Sequence, residues 1–220
     1  MHTTISRYFR EPVNALTHFL GILLSIVALI LLIRRSMEHG SLTMMAAFII
    51  FGVSMILLYT SSTLYHSVQG SQARIKKFRT FDHMMIYALI AGTFTPFCLL
   101  IVGGRLGILL IAIMWAMAIT GIIFKLFKGG AVGWISITIY VIMGWAGMSI
   151  FPFMLSSMPV NGLIWIGIGA VVYTVGAIIY GAGRPDPLPE KFGYHEIWHL
   201  FVLGGTFSHF WAIYRYVAFV

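Results

Sequence analysis

The chain has 220 residues, 60% of them hydrophobic and only 9% charged, against roughly 25% charged residues in an ordinary soluble protein, so water is excluded as its natural solvent and lipid is implied. The formal net charge of +8 does not indicate nucleic acid, because the basic residues sit between apolar runs, where membrane proteins carry them. Cys98 is the single cysteine, which excludes an internal disulfide.

A helix needs about 20 apolar residues to cross the hydrocarbon core. The polar opening MHTTISRYFREP lacks the short apolar core and small-residue cleavage site of a signal peptide. It leads into a first expected span at residues 14–33, stopped by Arg34 and Arg35. The second is expected at 42–66 and the third at 81–102, with Gly103 and Gly104 turning the chain into a fourth at 106–124. A fifth at 131–151 is ended by Pro152, and a sixth covers 160–180. The loop RPDPLPEKFGY, stiffened by Pro185, Pro187 and Pro189, precedes a seventh at 195–218. The expected fold is an all-α integral membrane protein, a seven-helix bundle forming one domain over residues 1–220.

Basic residues set the expected orientation. Arg7, Arg10, Arg74, Lys76, Lys77, Arg79, Lys125, Lys128, Arg184 and Lys191 fall on one side, and Arg34, Arg35, Arg105 and Arg215 on the other. The richer side is cytoplasmic, so the N-terminus is expected inside and the C-terminus outside a multi-pass protein of the cell membrane.

Ionisable residues within spans are functional candidates by default, and here they gather at one end. SSTLYHS places Ser62 and His66 four residues apart on one helix face. Asp82 and His83 stand in the first turn of the third expected span. The seventh opens with His195, Glu196 and His199 in the order H-E-x-x-H, a pattern known from zinc protease helices. Zinc accepts imidazole nitrogen and carboxylate oxygen in a tetrahedral shell. His195 and His199 can chelate from one face, His66 can supply a third nitrogen, and Asp82 can either take the fourth position or hold a zinc-bound water there. The competing reading is that histidines at helix ends only hydrogen-bond to headgroups or backbone. His209 is fourteen residues beyond His195, about 21 Å along a helix, so it belongs near the external end and cannot share the ion. His2 and His39 are expected in solvent. Trp115, Trp134, Trp145, Trp165 and Trp211 read as packing residues and interface anchors. Glu11, Asn14 and His18 fall near one face of the first span at the same end. They can form an outer shell around the metal, but the reading preferred from sequence is structural, because every helix N-terminus has orphan amides to satisfy.

Taken in order, these stretches resemble a known family. EPVNALTHFLG carries Glu11, Asn14, Thr17, His18 and Gly21 in a Glu-x-x-Asn-x-x-Thr-His-x-x-Gly signature, followed by SSTLYHS, FDHMMIYALIAGTFTP and HEIWHLFVLGGTFSHF. The set is similar to the bacterial haemolysin III branch of the progestin and adiponectin receptor superfamily, over residues 11–210. The resemblance implies seven transmembrane helices, a cytoplasmic N-terminus and an intramembrane zinc. It would assign the metal to His66, His195 and His199, the water partner to Asp82, and the serine of the wider hydrolase pattern to Ser62. The long N-terminal extension of many receptor relatives is missing, which puts hormone-receptor signalling in doubt.

The expected activity is zinc-dependent hydrolysis of a membrane lipid, an amide of the ceramide type, with Asp82 and Ser62 catalytic and Zn2+ as cofactor. A non-catalytic lipid sensor with structural zinc is the first alternative, and a cytolysin is the second, although no polar stripe suited to a pore is visible. An intramembrane protease is disfavoured. Glu196 is turned about 100° from His195 on an ideal helix, and it suits a cap at the N-terminus of the last span.

Overall fold

In the computed structural model, residues 9–128, 134–188 and 191–219 are described. The expectations for His2, Arg7, residues 131–133, Pro189 and the side chain of Lys128 lie outside them. The described chain is helical throughout: α1 (Pro12–His39), α2 (Leu42–Ser67), α3 (Gln72–Pro96), α4 (Gly104–Lys128), α5 (Trp134–Trp145), α6 (Phe151–Ser157), α7 (Val160–Ala182) and α8 (Tyr194–Arg215). In lipid, helices are the form in which such a chain satisfies its own backbone.

Six stretches among the described residues are long and apolar enough to cross a membrane: Pro12–His39, Leu42–Ser67, Gln72–Val102, Gly104–Phe127, Trp134–Ser157 and Val160–Ala182. The protein is an all-α, multi-pass membrane protein. The remaining long helix, α8, has 22 residues and packs against α7 and α1.

Three boundaries differ from expectation. The third span begins not at 81 but at Gln72, where the Ser71 hydroxyl accepts from the Arg74 amide at 3.3 Å. The basic run Arg74–Arg79 is therefore helical, and Asp82 and His83 sit three turns into α3 rather than in its first turn. Hydropathy marks the lipid boundary, whereas the hydrogen-bonded helix continues to its cap. At its other end, the helical path runs through Pro96 into a wider π-helical stretch, Phe97–Val102. The first span likewise continues past Arg34 and Arg35 to His39, where Gly40 closes it with a φ of 63°. Pro152 does not end the fifth span. A 3-10 turn, Ala146–Ile150, joins α5 to α6, and Pro152 lies in the first turn of α6, where its missing N–H costs nothing. The turn at Gly103 and Gly104 is as expected, with φ values of 65° and 53° that few other residues adopt.

The helices are sorted inside out relative to a soluble bundle. On α1, Asn14, Ala15, His18, Gly21, Ser25 and Ala28 are buried, while Leu16, Phe19, Leu20, Leu23, Leu24 and Val27 face outward. Lipid imposes no penalty on exposed leucine, so small and polar residues take the inner face and let helices approach. The central core is built from Phe48, Phe51, Met55 and Tyr59 of α2 with Tyr87, Ala91 and Phe94 of α3.

Candidate metal centre

α2 ends where α1 begins, and that junction fixes His66. The last carbonyls of a helix have no intrahelical partner. Here the backbone N–H of Glu11 donates to the His66 carbonyl at 3.0 Å and the Arg10 guanidinium to the Tyr65 carbonyl at 3.0 Å. The Glu11 carboxylate then accepts the Nδ1–H of His66. Burial alone would raise the Glu11 pKa; the His66 hydrogen bond and the neighbouring charge of Arg10 outweigh it and hold the group at about 2. His66 is fully buried, and its Nε2 has no hydrogen-bond partner among the described residues.

The facing pair comes from the first turns of α8. Glu196 caps this helix, accepting from the Gly193 amide at 2.8 Å and from the Asn14 amide at 2.8 Å. This matches the capping role expected of it, and its bond to Asn14 also ties α8 to α1. His195 and His199 project toward His66, with ring centroids 5.0 and 4.8 Å from it and 5.1 Å from each other. One nitrogen of each of the three rings lies within 4.8 Å of the others. His199 Nδ1 lies 3.4 Å from the Thr17 hydroxyl, and that hydroxyl hydrogen-bonds to the Val13 and Asn14 carbonyls of its own helix. Thus α1 occupies Nδ1 of both His66 and His199, which leaves their Nε2 atoms for the centre. This is the outer-shell arrangement typical of metal-binding histidines.

The residues fit a metal ion. An orphaned imidazole nitrogen in a fully buried place is costly, and a cation bound by the three rings would satisfy it. Three nitrogen donors leave one position of a tetrahedral shell open. His209 is not part of the cluster. It is half-buried farther along α8, with Nε2 3.4 Å from the Ile166 carbonyl.

Asp82 is buried on α3, and the Ser62 hydroxyl, one turn before His66, is placed to hydrogen-bond its carboxyl. Both line a cavity of about 330 Å³ whose wall also includes His18, His195 and His199. From there the cavity runs between α3, α5, α6, α7 and α8, past Gly144, Gly167 and Ala170, to Met154 and His209. Its lining beyond the polar end is overwhelmingly aliphatic and aromatic. Small residues of the fifth and sixth spans, Gly144, Gly147, Gly167 and Ala170, line it.

The preferred sequence reading of Glu11 and Asn14 as helix-start residues is corrected. Glu11 hydrogen-bonds to a histidine of the cluster, and Asn14 bonds Glu196 rather than its own helix's amides. Thr17 was not singled out as a partner at all. The spacing of Glu11, Asn14, Thr17 and His18 was the available signal, but their partners lie on other helices.

Over residues 6–210 the chain matches the family described as haemolysin-III related. It belongs to the haemolysin III family. Hemolysin-3 of Bacillus cereus is 42% identical over 217 residues, covering 98% of this chain and 95% of that protein. A Hemolysin-3 homolog of Bacillus subtilis (strain 168) is 40% identical over 206 residues, covering 94% and 93%. The human monocyte to macrophage differentiation factor is 26% identical over 213 residues, covering 95% and 85%, which carries the likeness beyond bacteria into the wider receptor superfamily. The haemolysin III motifs quoted above are the segments that build the cluster, from α1, α2, α3 and α8.

Proposed function

We propose that this haemolysin III protein is a zinc-dependent hydrolase that cleaves an amide bond of a membrane lipid at the cytoplasmic side. One observation carries the reading: two histidines of the three-histidine cluster, His195 and His199, line the polar head of a long apolar cavity, with the Asp82 carboxyl and the Ser62 hydroxyl in the same wall. His66, His195 and His199 would hold the metal, which supplies Lewis acidity that polarises a carbonyl and acidifies water. Asp82 would orient the attacking water and take its proton. Ser62 would give its one hydroxyl proton to the Asp82 carboxylate at rest, and turn it to the oxygen on which charge develops once Asp82 has taken the proton of the water. The acyl chain would lie along the apolar length of the cavity, where glycines leave room, and the aliphatic wall would keep bulk water away.

The test is metal analysis of the purified protein together with fatty-acid release from N-acyl lipids. One zinc per chain is expected, and none in the His195→Ala, His199→Ala double variant. Asp82→Asn should keep its zinc and lose hydrolysis by about 10²–10⁴-fold, the usual worth of a general base. A zinc-replete Asp82→Asn protein with full function would sink the hydrolase reading. It would favour a second one, supported by the way Glu11, Thr17 and the histidines tie α1, α2 and α8 together: zinc as a staple in a lipid sensor without turnover. The names of the Bacillus relatives suggest cytolysis. Dye leakage from liposomes exposed to the same preparation tests that third reading.

A further inference from the structure

Two buried histidines of the polar end, His83 and His18, have no part in the proposed chemistry, and of these it is His18 whose ring lies against the metal cluster. It is 3% exposed, and its ring lies flat on that of His199, centroids 3.6 Å apart at 8°. Tyr59 meets it edge to face at 5.0 Å. Neither ring nitrogen has a partner in hydrogen-bonding geometry among the described residues, although the backbone of His199 is close by. Stacking does not require a histidine, since an aromatic hydrocarbon side chain would stack on His199 without burying two polar atoms. A neutral imidazole carries one donor and one acceptor, and buried polar groups are normally satisfied. His18 also forms part of the cavity wall, beside Ser62, Asp82, His195 and His199.

We propose that His18 binds the polar head of the cavity's ligand, and that the ligand is an amphiphile whose head both donates and accepts hydrogen bonds, such as a hydroxylated amide. The two unused nitrogens supply the complementary acceptor and donor. The flat contact with His199 holds the ring at the depth of the metal cluster, so the head is recognised next to the bond to be cleaved. The assignment rests on the reading of the cavity as a lipid site, but it does not require turnover.

The experiment is equilibrium binding to the full-length, zinc-loaded protein in detergent. The probes are N-oleoylethanolamine, whose head donates and accepts, and methyl oleate, which has the same chain and only accepts. The wild type should prefer the amide. His18→Leu should keep its zinc, bind the amide about tenfold more weakly, as expected for loss of about one net hydrogen bond, and bind the ester unchanged. His18→Gln, which retains a donor and an acceptor, should recover most of the preference. If His18→Leu discriminates as the wild type does, or if the wild type binds neither probe, the proposal is overturned. Should His18→Leu fail to fold, the wild type still decides: N-oleoylethanolamine must shift the ring 15N signals that are missing from the His18→Gln spectrum, and unshifted signals overturn the assignment. The two readings fail separately. Binding through His18 without fatty-acid release from any amide defeats only the hydrolase. Release with unaltered discrimination in His18→Leu defeats only the role of His18.

Discussion

At the scale of single residues, the tautomers of His66 and His199 are set from the start of α1. His66 gives its Nδ1 proton to Glu11, and Thr17 lies against Nδ1 of His199. Outer-shell partners of this kind are typically worth 10–100-fold in metal affinity. Glu11→Ala is therefore expected to lower zinc affinity by about that range, measured by competition with a chromogenic chelator, while the three histidines stay in place. Unchanged affinity would mean that the Glu11 carboxylate only joins α1 to α2. Arg10 pairs with Glu11 at 3.2 Å, but its bond to the Tyr65 carbonyl and its place over the Tyr65 ring, 4.5 Å away, do not use that carboxylate, so Glu11→Ala leaves those two contacts standing.

At the scale of elements, closeness is governed by glycines where helices touch. At Gly107, in the first turn of α4, an added Cβ would lie 2.2 Å from the Cys98 carbonyl oxygen. That oxygen also accepts from the Gly103 amide at 3.0 Å, closing the turn between the third and fourth spans. A backbone atom so held cannot step aside as a flexible side chain can. Gly107→Ala should then cost about 1–3 kcal/mol, the usual penalty of overpacking, seen as a lower melting temperature in detergent. The metal cluster lies on other helices, so zinc content should be preserved. The π-helical stretch after Pro96 belongs to the same turn: proline has no N–H to give the preceding carbonyls, and the helix widens there instead of stopping.

At the scale of the whole molecule, two expectations remain to be measured. From the distribution of basic residues the N-terminus is expected in the cytoplasm and the C-terminus outside, and reporter fusions at both ends should agree; a C-terminal reporter active only in the cytoplasm would overturn the orientation. Removal of zinc by a chelator should lower the melting temperature of the wild type, because a ligand bound only by the folded state stabilises it, and should leave the double variant His195→Ala, His199→Ala unmoved. The helical membrane fold was legible in the residues, because about 20 apolar residues in a row admit few structures in lipid. His66, His195 and His199 were legible too, since ionisable residues stand out against apolar sequence and the spacing of His195 and His199 puts them on one face. Helix ends were less so: the basic run Arg74–Arg79 reads as loop by hydropathy, yet its cap at Ser71 makes it helix. Thr17 against His199, Glu11 against His66, the unpartnered ring of His18 and the cavity reaching His209 were decided only by the tertiary structure. Each depends on how α1 docks on α2 and α8, and how far α5 and α7 stand apart. Composition sets which residues lipid will tolerate outside, but the meeting of particular side chains across helices follows from packing that no single helix encodes.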